Sequence, residues 1–289
     1  MELLRVDRRL QISEGTTMIE QLENEIIKNI RTIPRVPLSF LLSGGIDSSL
    51  ALALVKNEYP EVPIHTFSLA RNCDYPDLVF AREVAELFGT VHHEKIVSSS
   101  ELEEYAREYD RIRQSNFRGD INVFILCSLA REYSKVIVTG DGGDECFGGY
   151  FLHKYPLGHK ETGQIRSFEE IHPDSQKHLK AMVKLGFRDF LYKAKSTEED
   201  YKAVWEYFVR ILLPNHMEPL LHTARVFNLD VYTPLFSSDL TNFLRTIPIQ
   251  QRINRKIEKT LAAKYLPKLI IERKSMGFDV ALEKELIYK

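Results

Sequence analysis

Pro37-Leu38-Ser39-Phe40-Leu41-Leu42-Ser43-Gly44-Gly45-Ile46-Asp47-Ser48-Ser49-Leu50 begins a stretch, ending at Glu58, around which the whole chain is organised. Leu38, Phe40, Leu41 and Leu42 form a short apolar run, the mark of a buried strand. Leu50 to Val55 continues in strong helix formers. A glycine pair between strand and helix lets the backbone turn sharply and approach a ligand closely. The first N–H groups of the new helix lack intrahelical partners and can bind an anion, and Ser48 and Ser49 add hydroxyls there. Asp47 would repel that anion unless a cation lay between them, which points to Mg²⁺. The plainer alternative is a capped helix with Ser and Asp as ordinary N-terminal residues.

The surrounding composition is that of an ordinary globular protein. The 289 residues are 44% hydrophobic and 28% charged, with a formal net charge of −2. The length allows one large or two modest domains. Near-neutral charge supplies no electrostatic footprint for nucleic acid. No apolar run approaches the roughly 20 residues of a membrane span. Cys73, Cys127 and Cys146 show no metal-type spacing, and their odd number favours reduced thiols in a cytoplasmic setting.

Outward from the central stretch, strands and helices alternate. Residues 1–17 read as an irregular lead-in. Ile19, Leu22, Ile26, Ile27 and Ile30 then recur at helical spacing over Met18 to Ile30. Further strands are expected over Val62 to Leu69, Val91 to Val97 and Lys135 to Thr139. Helices are expected over Asp77 to Phe88, from Ser98 to about Arg113, and over Ile121 to Tyr133. Gly89 is a natural helix terminator, and Ser98 to Glu101 carries cap chemistry. The alternation implies βαβ units in a doubly wound parallel sheet, a Rossmann-like α/β core over 18–150. Beyond about residue 150 helical periodicity dominates, over Phe168 to Leu185, Thr197 to Leu213, Leu235 to Arg245 and Lys256 to Tyr265. Residues 151–289 are expected to complete the domain as a mainly helical part.

A second motif, Thr139-Gly140-Asp141-Gly142-Gly143-Asp144-Glu145-Cys146-Phe147-Gly148-Gly149-Tyr150, follows the fourth strand. Its glycines mean a backbone that approaches something closely. Asp141, Asp144 and Glu145, packed near Asp47, would repel one another without a metal. Two carboxylates from separate loops holding Mg²⁺ against phosphate oxygens is a common solution. The alternative is a flexible acidic turn. Ligands in open parallel sheets bind at the carboxyl ends of the strands, so both motifs are expected to face one cleft.

The first motif lacks the Gly-Lys-Ser/Thr end of a Walker A loop. It resembles the Ser-Gly-Gly-x-Asp-Ser loop of enzymes that split ATP into AMP and pyrophosphate. Thr139 to Tyr150 resembles the Gly-Glu-Gly-x-Asp-Glu-x-Phe-Gly-Gly-Tyr signature of the asparagine synthetase family. Asp77-Leu78 through Gly89-Thr90-Val91-His92-His93-Glu94, Lys256-Ile257-Glu258-Lys259 and Glu272-Arg273-Lys274-Ser275-Met276-Gly277-Phe278 resemble further family segments, in order. The resemblance covers about residues 18–289, the family's ATP-using synthetase domain, and implies an adenine nucleotide alpha-hydrolase-like fold.

It also implies a chemistry. A substrate carboxylate attacks the α-phosphorus of ATP, and ammonia or another amine then displaces AMP to form an amide. On this resemblance Ser43, Gly44, Gly45 and Ser48 cradle pyrophosphate, with Thr139 and Gly140 completing the ATP site. Leu41 and Leu69 contact adenine, and Asp47 and Asp144 hold Mg²⁺. Lys256 neutralises charge on the phosphates, while Ser115 and Arg118 meet the carboxylate substrate. Asp141 stands where the family has Glu, a candidate general base. It is shorter by a methylene, and misplacement of about 1 Å can cost about a hundredfold. Tyr232 replaces an arginine, Ser237 or Ser238 a closing acid, and Ser275 a lysine. The phosphate side is kept and the substrate side drifts, so aspartate is less firmly implied than the activation chemistry.

Family members usually begin with a glutaminase domain whose nucleophile is a cysteine after the initiator Met. Residue 2 is Glu2, and the Ser43 loop arrives too early for that domain. Free ammonia, a separate glutaminase subunit or another amine is therefore expected. A β-lactam-type or peptide-cyclising synthetase, a non-catalytic ATP- or AMP-binding subunit, and an RNA-modifying pyrophosphatase are the competing readings. Charge and the lack of a zinc or CxxC element weigh against the last. Many family members self-associate, but nothing in the sequence specifies a homo-oligomer interface. His92, His93, His216 and Cys146 are read as structural.

Overall fold

The computed structural model describes residues 16–112, 121–150, 153 and 198–273. Five parallel strands form one sheet in the order β3-β2-β1-β4-β5. They are β1 (Leu38–Leu41), β2 (Ile64–Ala70), β3 (Val91–Ile96), β4 (Val136–Thr139) and β5 (Asp230–Tyr232). The expected α/β architecture is the one observed. The chain moves outward from β1 through β2 to β3, then crosses to the other side of β1 for β4. That reversal opens a crevice between the carboxyl ends of β1 and β4.

Both faces of the sheet are covered, which is why its central strands are apolar on both sides. Leu38 and Phe40 of β1 and Val136 and Val138 of β4 pack into one core. There they meet α1 (Thr16–Ile30), α2 (Ile46–Glu58), α3 (Pro76–Phe88) and α9 (Ser238–Thr246). The same core takes apolar residues from α6 (Gly143–Phe147), α7 (Glu198–Tyr207), α11 (Lys256–Ala262) and α12 (Lys268–Glu272). Phe67, Leu69 and Ile137 face the other core, with α4 (Ser99–Ile112), α5 (Ile121–Ala130) and α8 (Leu213–Phe227). Helix α2 is buried at Ile46 and continuously from Ser48 to Val55, so its apolar character runs all round rather than along one face.

Two differences from the sequence reading have physical causes. Leu213–Phe227 is one helix although Pro214 and Pro219 lie in it. Pro214 follows directly on a π-helical segment at Phe208–Leu212, where the ordinary i→i−4 ladder is already interrupted. The helical part also returns a strand to the sheet: β5 is only three residues long, and pairs Asp230 to Tyr232 with Val136 to Val138. The short α10 (Ile249–Arg252) and a 3₁₀ turn at Ile253–Arg255 then lead into α11. The helix expected over Phe168 to Leu185 lies outside the described residues.

Candidate active site

The turn after β1 is held by its own serines. The Gly45 N–H donates to Ser43 Oγ at 3.3 Å, Ser43 Oγ and Ser48 Oγ lie 3.1 Å apart, and the Ser43 N–H donates to Ser48 Oγ at 3.3 Å. Gly44 has φ +68°, and a Cβ there would stand 2.5 Å from the Ala81 backbone nitrogen in α3. Only glycine meets both demands. The result is a compact Ser/Gly turn opening directly into the N-terminus of α2.

Register brings the second loop alongside. Leu41 at the end of β1 pairs with Thr139 at the end of β4. Gly140 then passes so near α2 that a Cβ on it would stand 2.5 Å from the Ser48 backbone nitrogen. Thr139 Oγ1 donates to Asp141 Oδ2 at 2.5 Å and accepts from the Asp141 N–H at 3.0 Å. Asp144 lies in α6, which opens at Gly143, where a Cβ would collide with Asp47.

Between these loops lies Arg255. Its Nη1 is 2.5 Å from Asp47 Oδ1 and 3.0 Å from Glu258 Oε2, and its Nη2 bonds Asp144 Oδ1. One guanidinium thus gathers carboxylates from α2, α6 and α11. Glu258 is fully buried, and burial first, then the Asp47 charge, pushes its carboxyl well above the ordinary range. Burial alone would lower the Arg255 pKa, but the Asp47 and Glu258 charges outweigh it and raise it. Asp47 and Asp144 keep 22% and 31% of their side-chain surface exposed, so both remain reachable from solvent. Two such carboxylates on facing loops form an all-oxygen donor set that fits Mg²⁺. Lys256, the next residue, opens α11 with its side chain exposed.

A second polar group lies behind the acidic loop. Tyr150 donates to Glu145 Oε1 at 2.8 Å, and His216 Nδ1 of α8 is 3.3 Å from the same oxygen. Asp141 is an exposed residue, but neighbouring protein atoms crowd its carboxyl. That desolvation, with the Glu145 and Asp47 charges, raises its pKa against the opposing Thr139 hydrogen bond and His216. On the far side of the first turn Arg273 pairs with Asp77, donates to the Ser43 carbonyl at 3.2 Å and stacks 4.6 Å over the Phe80 ring.

The structure therefore brings together Ser43, Gly44, Gly45, Asp47, Ser48, Thr139, Gly140, Asp141 and Asp144. Leu41 and Leu69 both pack in the core on the α4, α5 and α8 side, Leu69 buried and Leu41 partly so. Lys256 enters through its neighbour Arg255 rather than through a bond of its own to the carboxylates. Ser115 and Arg118 lie outside the described residues, as do Lys274 to Phe278. Arg255 carried no role in the sequence reading. The signal that could have found it is its place directly before Lys256. His92 and His93 sit within β3, where His92 Nδ1 is 2.8 Å from Thr66 Oγ1 and His93 stacks on Phe67. Cys146 is fully buried, which pushes its thiol well above the ordinary range, as a packing residue requires.

A Ser/Gly turn and an acidic glycine loop, meeting at the reversal of a parallel sheet, define a doubly wound α/β protein with a polar crevice. The chain belongs to the asparagine synthase family, whose model matches residues 27–288. It is 32% identical over 192 residues to a glutamine-hydrolyzing asparagine synthetase of Oryza sativa subsp. japonica, covering 62% of this chain and 30% of that protein. Against the glutamine-hydrolyzing asparagine synthetase of Mus musculus the identity is 34% over 162 residues, 52% of this chain and 28% of that one. The chain thus spans under a third of the length of these curated relatives. Among solved structures it is similar to an NH3-dependent NAD synthetase from Campylobacter jejuni, with TM-score 0.38 and 16% identity over 61% of this chain and 96% of that one.

Proposed function

We propose that this chain is an ATP-dependent amide-forming ligase that activates a carboxylate with release of pyrophosphate. The observation that carries the reading is the pairing of two loops at one crevice. The Ser43–Ser48 turn would offer backbone N–H groups and hydroxyls to an anion, and Asp47 and Asp144 meet on one guanidinium beside it. A carboxylate is a poor electrophile at neutral pH. Attack of its oxygen on the α-phosphorus of ATP expels pyrophosphate and leaves an acyl-adenylate. An amine, ammonia in the simplest case, then attacks the carbonyl, expelling AMP and shedding a proton. Ser43, Gly44, Gly45, Ser48, Thr139 and Gly140 would hold the phosphates, and Leu41 and Leu69 the adenine. Asp47 and Asp144 would hold Mg²⁺, which supplies charge neutralisation to the phosphate oxygens. Lys256 would stabilise the charge building there. Asp141, with its raised pKa, would accept the amine proton.

The family and the cleft support this class of chemistry. Aspartate as the acid, ammonia as the amine, a separate glutaminase subunit and a cytoplasmic location are the finer parts of the proposal. A second reading, an amide- or lactam-forming synthetase with an amine inside its own substrate, is favoured by Asp141 in place of the family's Glu and by Tyr232. Pyrophosphate release from Mg-ATP, followed across a panel of carboxylates with and without ammonium, tests both. Release with aspartate that rises with ammonium and is lost in Asp47→Asn supports the first. Release with another acid and no response to ammonium supports the second. No release with any acid, despite ATP binding, sinks the ligase reading and leaves a binding subunit.

A further inference from the structure

The seat between Asp47 and Asp144 is filled by this chain's own cation. Arg255 Nη1 touches Asp47 Oδ1 at 2.5 Å, and Nη2 bonds Asp144 Oδ1. The residue is 8% exposed, so the contact is not a loose surface pairing. The backbone is bent to deliver it. Asn254 and Arg255 have φ +56° and +59°, two consecutive non-glycine residues in the left-handed region. Such a pair persists only where surrounding structure over-determines it. The neighbouring glycines fit the clamp: a side chain on Gly143 would strike Asp47, and one on Gly149 would strike Asp144 and Arg255.

We propose that Arg255 is a resident counter-ion that excludes divalent metal from the Asp47–Asp144 pair until nucleotide phosphates arrive. The proposal rests on the assignment of Asp47 and Asp144 as metal carboxylates. A dication and a guanidinium cannot share the same two carboxylate oxygens, because like charges at that distance repel strongly. A polyphosphate changes the balance. It brings several negative charges to the Ser43 turn, and a guanidinium fork matches phosphate oxygens as well as carboxylates. Arg255 then turns to phosphate, and the carboxylates are released to the metal. Metal and nucleotide binding are thereby coupled, and the coupling is reciprocal. Glu258, fully buried beside Arg255, keeps the guanidinium near the cleft in both positions. Lys256, the next residue, is exposed at the start of α11 and has no such seat, which separates the two cations.

The test is retention of Mn²⁺ by the full chain in equilibrium dialysis, with and without α,β-methylene-ATP. Wild type is expected to retain Mn²⁺ at least about fivefold more tightly with the analogue than without it, the lower end of ordinary coupling. Arg255→Gln is expected to retain Mn²⁺ without nucleotide. Glu258 would be left as an unpaired buried carboxylate in that variant, so Arg255→Gln/Glu258→Gln is made beside it. If neither variant folds, wild-type melting decides: no shift with Mg²⁺ alone and a rise with Mg²⁺ plus analogue is the expected result. Wild-type retention of Mn²⁺ that is equal with and without analogue would overturn the exchange while leaving the metal assignment standing. A folded Arg255→Gln protein with no nucleotide-free Mn²⁺ would overturn it as well. Analogue binding with no Mn²⁺ retained under any condition would instead sink the metal assignment on which the exchange rests.

Discussion

Gly140 lies against the backbone nitrogen of Ser48, so close that a Cβ at Gly140 would stand 2.5 Å from it. Neither partner can swing aside, since both contacts are backbone. Gly140→Ala must therefore push the acidic loop away from α2. The expected cost is about 1–3 kcal/mol of stability, as for overpacking in a close-packed interior. ATP affinity should fall at least about tenfold, because the two loops no longer meet at one anion. Gly89→Ala is the control: Gly89 has φ +62° with open space around it, so only backbone strain is introduced. It should lower the melting temperature and leave ATP affinity alone. Equal effects of the two variants on binding would show that the loop contact is not what shapes the site.

Lys256 and its neighbour allow folding and chemistry to be separated. Lys256 is exposed at the start of α11, so Lys256→Ala should change stability by no more than about 0.5 kcal/mol. Pyrophosphate release should nevertheless drop about 10²–10³-fold, the usual cost of one group that stabilises transition-state charge. ATP binding and chemical denaturation, measured on the same preparation, check this. Unchanged turnover would return Lys256 to the status of a solvated helix lysine.

Arg273 ties the end of α12 to the first turn. It pairs with Asp77, donates to the Ser43 carbonyl and stacks on Phe80. Asp77 is largely buried, and burial pushes its carboxyl up despite the Arg273 charge. Arg273→Ala would leave Asp77 without its partner. The expected loss is about 3 kcal/mol, partly offset because Asp77 can take up a proton. Arg273→Lys keeps the charge but loses the fork and the stacking, and should fall between. A double-mutant cycle with Asp77→Asn measures the coupling directly. A coupling energy near zero would show that the pair does not hold the turn.

How much of this was legible follows from how local each signal is. The β1 apolar run, the serines and glycines after it and the helix beyond are contiguous, so strand, turn and helix could be read together. The pairing of the two loops needed only the rule that parallel sheets bind ligands at their carboxyl ends. Arg255 was not legible, because Asp47 lies 208 residues away and the choice of Arg255 over Lys256 is made by tertiary packing. Its left-handed backbone carries no glycine to announce it. β5 is three residues, too short for alternation to show. The periodicity ends a helix at Leu213, and only the fold shows that the helical path continues past Pro214 to Phe227. His216 read as packing, yet the fold sets its Nδ1 3.3 Å from Glu145.

The cap of α4 yields a prediction of pH dependence. Glu101 Oε2 accepts from the Ser98 N–H at 2.9 Å and from the Ser98 hydroxyl at 2.6 Å, while Oε1 accepts from Lys95 at 2.5 Å. The Glu101 N–H in turn donates to Ser98 Oγ at 3.3 Å, completing a capping box. Lys95 first, then Ser98, hold the Glu101 carboxyl down from 4.5 to about 2. A folded-state pKa below the unfolded one means the native protein prefers the charged form. The stabilisation is present above the unfolded value of 4.5 and is lost as pH falls towards about 2. Glu101→Gln removes the charge while keeping an acceptor for Ser98. At about pH 7 the variant should melt below wild type, and the gap should close on acidification below about pH 4.5. Added salt should also narrow the gap, because the Lys95 pair is solvent-accessible. Melting curves of both proteins across that range decide it. A gap that stays constant with pH would mean that Glu101 caps α4 as a hydrogen-bond acceptor alone.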